Sequence, residues 1–213
     1  MRQSTILIFA KPPMMGLSKT RLAKSLSKSE AQRIARFSMS RTLRACALPI
    51  WDVRLYTTPA RVLNWSLGGL WAPDLKRFDQ GDGDLTARLS RGLEEADPGK
   101  ILFIGADAPD VSTALLKRAF LHLNTHDAVF GPASDGGFWL FGLKKTSQTS
   151  SPFENVRWST EHALADVRAN LTDDARISYL PQLIDIDTAE DWRAWNARPS
   201  LVTGGFQNKM QFL

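Results

Sequence analysis

Cysteine is almost missing from this chain. The single Cys46 cannot form an internal disulfide, and neither it nor His122, His126 and His162 has the spacing of a zinc site. Thiol chemistry and structural zinc are thereby excluded. No apolar run reaches 18 residues, and the apolar stretch in MRQSTILIFAKPP is too short for a signal peptide, with no small-residue cleavage site after it. The expectation is a soluble cytoplasmic protein with no membrane insertion. The Gly-Lys-Thr of a P-loop and the G-x-G-x-x-G fingerprint are both lacking, which removes the usual NTPase and dinucleotide-binding motifs. Asp82 and Asp84 sit among glycines in QGDGDLTARL, but the ligand spacing and closing Glu of a calcium loop are absent. Stacking aromatics are few in the first 61 residues, and no helix-turn-helix or RNA-binding signature occurs, so nucleic acid is not the expected partner.

What is present is a 213-residue chain, long enough to bury a full core as one α/β unit. Residues 1–198 are expected to form a single domain, followed by a tail, 199–213, with few signals and expected partial disorder. The formal charge of +5 conceals an asymmetry, because Met1 to Arg61 holds 12 Lys or Arg against only Glu30 and Asp52. A basic end of this kind attracts small polyanions such as a nucleotide diphosphate, or is simply a solvated helix face.

Strand and helix signals alternate along the chain. TILIFA, Thr5 to Ala10, is an apolar run of strand length ended by Lys11-Pro12-Pro13. The next loop gathers Gly16, Lys19, Thr20 and Arg21, where glycine permits close backbone approach and the cations suit phosphate oxygens. Ser29 with Gln32 reads as a capping box for a helix to Ala47, with Ile34, Cys46 and Ala47 inward. Val53 to Thr58 reads as a strand, Arg61 to Leu67 as a short helix and Lys76 to Phe78 as a short strand. Asp84 is the expected cap of a helix burying Leu85, Leu89 and Leu93, while Gln80 is placed to reach a ligand from the preceding turn.

KILFIGADAPD, Lys100 to Asp110, is the central stretch. Ile101 to Ile104 fit a strand buried on both faces, and Gly105 opens a turn that presents Asp107 at the carboxyl edge, where open α/β sheets bind ligands. Asp110 is the expected cap of the helix from Thr113, with Ser112 as the other candidate. Asp127 to Gly131 is a further strand. Asp135, Gly136 and Gly137 then lead into an apolar strand, Phe138 to Leu143, whose aromatics read as packing. Ser159 or Thr160 is the expected cap of a helix to Asn170, with Trp158 lining a pocket or burying an edge, and Ile177 to Leu180 is a last short strand. Asp187 with Glu190 reads as a capping-box-like pair or as metal ligation. The pattern implies a three-layer α/β/α sandwich around a mostly parallel sheet, with the strand after Asp135 antiparallel.

Taken together, KPPMMGLSKTRLA, QGDGDLTARL, GADAPD, SDGGFWLFGL, WST and DIDTAEDW resemble, in order, the motifs of a largely uncharacterised bacterial family. It is of glycosyltransferase A type, within the nucleotide-diphospho-sugar transferase superfamily. The resemblance implies a metal-dependent transferase, most simply a glycosyltransferase moving a sugar from a nucleotide diphosphate sugar to an unidentified small-molecule acceptor. Nucleotidyl transfer from a nucleoside triphosphate, or a non-catalytic nucleotide or nucleic-acid binding module, are the alternatives. It implies nucleotide binding by Lys11, Gly16, Lys19 and Arg21, with Gln80, Asp84 and Gly105 as further nucleotide contacts. Asp107 then stands as the ligand of Mg²⁺ or Mn²⁺, with Asp187 as a second metal ligand. Asp135 becomes the candidate base, with Gly136, Gly137 and Trp158 on the acceptor side. Thr86 departs from the family pattern, where a glycine often stands.

Overall fold

A computed structural model of the chain describes residues 3–198; the tail expectation for 199–213 falls outside the described residues. Its strands are β1 (Gln3–Phe9), β2 (Asp52–Thr57), β3 (Lys76–Asp79), β4 (Gly99–Ile104), β5 (Ala128–Pro132), β6 (Phe138–Lys145) and β7 (Ile177–Tyr179). They form one sheet in the order β3-β2-β1-β4-β6-β5-β7, parallel except for β6. The helices are α1 (Thr20–Ser25), α2 (Lys28–Cys46), α3 (Leu85–Glu95), α4 (Thr113–Thr125), α5 (Ala163–Ala169) and α6 (Ala189–Ala197). None of them is long and apolar enough to cross a membrane.

Strand alternation divides the core. Ile6, Ile8, Leu102 and Ile104 point to one face with Met39 of α2 and Leu116 and Leu123 of α4, whereas Leu7, Ile101 and Phe103 join Leu89 and Leu93 of α3 and Val167 of α5 on the other. Helices therefore cover both faces, the condition under which parallel strands become continuous apolar runs. On the α3/α5 face one ring from every strand lines up: Phe78, Tyr56, Phe9, Phe103, Phe141, Phe130 and Tyr179, with centroid spacings of 4.9 to 6.2 Å. Offset contacts at these distances add to the area they bury.

Several helix starts differ from the expectation, each because neighbouring residues compete for one cap. Ser27, in extended backbone, caps α2 by accepting from the Glu30 amide at 3.1 Å, so the box on Ser29 and Gln32 does not form, and Ala47 at the other end is exposed. Ser112, not Asp110, caps α4; the Asp110 carboxylate instead accepts from Trp195 Nε1 at 3.1 Å and pairs with Arg198. The α6 box is Thr188 with Asp191, one residue on from the expected Asp187 and Glu190. Helix α5 starts at Ala163 without a side-chain cap, since Thr160 Oγ1 donates to the Arg157 carbonyl and Ser159 turns to φ 60°. The expected helix over Arg61 to Leu67 is reduced to a single 3-10 turn, Ala60–Val62. Asp84 caps α3 as expected, its Oδ1 3.0 Å from the Ala87 amide.

Candidate active site at the carboxyl edge

The strand order reverses direction at β1: the chain runs outward through β2 and β3, then returns to place β4 on β1's other side. The crevice beyond such a reversal is where open α/β sheets hold ligands. Residues that follow β1 and β4 therefore meet there. Because β6 is antiparallel, Asp135, just before its first residue, arrives at the same edge, as does the segment following β7.

Lys19 is the pivot. It sits in left-handed backbone at φ 51° and ψ 42°, a conformation that costs a side-chain-bearing residue energy and recurs at functional sites. Its Nζ lies 2.6 Å from Asp107 Oδ1 and 2.6 Å from Asp187 Oδ1, with the Lys19 side chain 4% exposed and the carboxylates about half exposed. Burial alone would lower the lysine's pKa, but the charges and hydrogen bonds of Asp107 and Asp187 outweigh it and hold the pKa above the ordinary value. The main chain fixes the same meeting, the Ile186 amide donating to the Asp107 carbonyl at 3.0 Å. Residues 88 and 168 positions from the first-strand loop thus share one ammonium group.

A third carboxylate completes the cluster. Asp185 keeps part of its surface exposed, but its Oδ1 is shut off from solvent and finds no hydrogen-bond partner among the described residues. Burial first, then the charge of Asp107, pushes its carboxyl up to about 8, against the opposing pull of Lys19. The unfolded chain releases this proton near pH 4, whereas the native state keeps it to about 8. Between those values the native state binds more protons, so stability falls as pH rises, by roughly 1.4 kcal/mol per unit. Asp185→Asn is expected to match the parent near pH 4 and to exceed it by on the order of 4 kcal/mol at pH 7, measured by urea unfolding with a chelator present. Parallel stability profiles would refute the assignment.

A cavity of about 220 Å³ opens beside these acids. Phe9 and Phe103 lie beneath it, Leu85 and Leu89 form the α3 wall, Phe138 and Trp158 the opposite wall, and Gly105, Asp107, Asp135 and Asp185 border it. Asp135 is exposed, and its Oδ1 accepts from the Gly137 amide at 2.9 Å. Gly136 takes φ +86° and lies so close to the main chain of Glu161 that a Cβ would stand 2.5 Å from its Cα and O. Trp158 is held by Nε1 donating to Thr86 Oγ1 at 2.8 Å, while Thr86 Oγ1 donates to the Phe153 carbonyl at 3.2 Å. The side chain that departs from the family pattern is thus the tie between α3 and the Trp158 wall.

Of the nucleotide candidates, Gly105 borders the cavity, and Lys19 bonds Asp107 at its edge without lining it. Lys11 and Arg21 are exposed on the preceding loop and at the start of α1, outside the cavity lining and without an ion pair to a described residue. Gly16 takes φ +78° with open space around it. Gln80 is 5% exposed and donates to the Tyr56 carbonyl at 3.0 Å, with Arg88 donating to its Oε1 at 3.3 Å, so its amide braces the sheet edge instead of projecting to a ligand. Asp84 is engaged as a cap outside the cavity lining. Sequence reading missed Asp185, Phe9, Phe103 and the role of Thr86, and it expected Leu85 to be buried with Leu89 and Leu93, whereas the side chain sits 38% exposed at the cavity's rim. The two-residue spacing in DID was a signal, because alternate residues of an extended segment point the same way.

The sequence profile of a family described as an uncharacterized protein conserved in bacteria (DUF2064) matches residues 42–160. A 2-phospho-L-lactate guanylyltransferase from Methanocaldococcus vulcanius is 25% identical over 186 residues, 87% of this chain and 81% of its own. A crystal structure from Desulfovibrio desulfuricans G20, provisionally named a nucleotide-diphospho-sugar transferase, superposes with a TM-score of 0.83 at 26% identity, covering 95% of this chain and 90% of that one. Rv0371c of Mycobacterium tuberculosis H37Rv, solved as a manganese complex, has a TM-score of 0.55 at 15% identity over 91% of this chain and 97% of its own. The fold is that of the nucleotide-diphospho-sugar transferases, as the motif order implied.

Proposed function

The chain belongs to the family described as an uncharacterized protein conserved in bacteria (DUF2064), and from that premise we propose that it is a metal-dependent transferase acting on a nucleotide-activated donor. The observation that carries this reading is the convergence of Asp107 and Asp187 on the Lys19 ammonium, 2.6 Å from each, beside the cavity that Asp107 borders.

The donor set fits Mg²⁺ or Mn²⁺. Its ligands are carboxylate oxygens, the choice of hard cations, and the shielded Asp185 Oδ1 adds a buried acceptor without a partner among the described residues. No group of three or more His, Cys, Asp or Glu among the described residues is arranged to hold a metal. Asp107 and Asp187 would hold the ion together with donor phosphates, the usual division for Mg²⁺. When bound, it would draw charge from the diphosphate.

The chain's own residues do the rest. Lys19 keeps the two acids in register, and the exposed Lys11 and Arg21 attract the diphosphate to the loop that Gly16 opens. Asp135, with Oδ1 fixed by the Gly137 amide, retains Oδ2 to orient an acceptor hydroxyl and take its proton. The donor is a nucleotide sugar and the transferred group a sugar, a reading supported by the likeness to the Desulfovibrio protein. Nucleotidyl transfer is the second reading, supported by the guanylyltransferase relative.

A ligand panel tests the proposal. With Mg²⁺ or Mn²⁺ present, one nucleotide sugar or one nucleoside triphosphate at about 100 times its Kd should add ~2.7 kcal/mol of stability. That corresponds to a rise of about 5–10 °C in the unfolding midpoint, and a chelator should abolish it. Absence of any metal-dependent protection overturns the reading, and salt-sensitive binding to any polynucleotide without nucleotide selectivity replaces it with a binding module.

A further inference from the structure

The residues that line the cavity include three carboxylates, Asp107, Asp135 and Asp185, yet among the described residues not one lysine, arginine or histidine. Lys19, which reaches the edge of the site, is already bonded to Asp107 and Asp187 and is 4% exposed in its side chain. The remaining lining is largely apolar: Phe9 and Phe103 below, Leu85 and Leu89 on one side, Phe138 and Trp158 on the other. An anionic group entering here would leave water for a site where Asp107 and Asp135 offer like charge, Asp185 keeps its proton and no side-chain cation lines the wall, the arrangement by which proteins exclude a wrong ligand. A cavity of about 150 Å³ lined by apolar side chains accepts a benzene-sized ring, and this one measures about 220 Å³.

We infer that the cavity receives a non-anionic acceptor with an apolar, ring-sized body, its hydroxyl end directed to Asp135. This rests on the transferase reading for the word acceptor, but the charge selection follows from the lining alone. It also separates the two chemistries. A phosphorylated acid, the acceptor named for the guanylyltransferase relative, finds no lysine, arginine or histidine in this lining, whereas a neutral hydroxyl suits transfer of a sugar: the hydroxyl oxygen bonds to the anomeric carbon, the bond from that carbon to the diphosphate oxygen breaks, Asp135 takes the proton and the nucleoside diphosphate leaves with the electron pair. The feature that sequence comparison alone would treat as a blemish, Thr86, holds the Trp158 wall of this cavity in place.

Three probes of equal body and different charge decide the matter: benzyl alcohol, benzyltrimethylammonium and benzyl phosphate. Binding is measured by ligand-observed NMR on the full chain with a chelator present. Benzyl alcohol and the ammonium probe are expected to bind at least tenfold more tightly than the phosphate. Leu85→Lys, a change at an exposed rim position of α3, should restore phosphate binding and thereby locate the probes in this cavity. Phosphate binding equal to or tighter than that of the alcohol in the parent protein overturns the inference, as does Leu85→Lys leaving the order unchanged.

A parallel titration of the parent with Mn²⁺ and the protective nucleotide distinguishes this result from the donor proposal. If nucleotide binding fails while the probe order holds, the transferase reading falls and the charge selection stands. If nucleotide and benzyl alcohol exclude each other, the cavity houses the nucleobase and the acceptor assignment fails.

Discussion

Asp107→Asn is expected to abolish metal-dependent nucleotide protection while leaving the fold in place. The substitution keeps the side chain's shape and the backbone carbonyl that receives the Ile186 amide, but it removes one of the two carboxylates that share Lys19. Loss of a charged ligand should weaken nucleotide binding in the presence of Mn²⁺ by about 100-fold or more, or ~2.7 kcal/mol. Turnover should fall by roughly three orders of magnitude, about 4 kcal/mol in the barrier. Folding stability should change by less than about 1 kcal/mol, because the carboxylate is 49% exposed and Asp187 remains to pair the lysine. Thermal protection titrations on parent and variant, with urea unfolding as the control, give the answer. A variant protected as well as the parent would remove Asp107 from its assigned place.

Gly136→Ala should instead damage the structure around the site. A methyl group there would stand 2.5 Å from main-chain atoms of Glu161, which no rotamer change can move away. The positive φ of +86° adds the conformational penalty of a non-glycine residue. Together, steric overlap and backbone strain should cost on the order of 3 kcal/mol and lower the unfolding midpoint by about 6–12 °C. The segment leading to α5 must shift, taking Ser159 and Thr160 of the cavity wall with it. Gly105→Ala is the matched control. Its nearest heavy atom would be the Asp107 amide nitrogen at 4.0 Å, so its effect should stay within about 0.5 kcal/mol. Equal effects at the two glycines would show that the Glu161 contact is not the cause.

The sequence made the sheet legible because its strands are apolar on both faces, as in TILIFA and KILFI, and because the turn residues between them are unambiguous. The antiparallel β6 was also readable, following the Asp-Gly-Gly turn so soon after β5. Caps were harder. Where Ser27 competes with Ser29, Ser112 with Asp110, or Thr188 with Asp187, the choice depends on which residue adopts extended backbone, a property of the whole chain. The correction at α6 has a functional side, since Asp187 is thereby released from capping to meet Lys19. Asp107 and the first-strand loop could be named separately, but the ion pair between them depends on β1 and β4 being neighbours. Asp185 passed unnoticed because its character arises from burial, and burial is a long-range outcome.

The rings that run from Phe78 to Tyr179, one from each strand, imply an unequal capacity for change around the site. Phe9 and Phe103 belong to that series and cannot be resized without disturbing neighbours on both sides, because packed interiors transmit strain. Leu85, exposed at the rim, carries no such obligation. Divergent members of this lineage should therefore retune what they accept by altering the walls, and keep the floor.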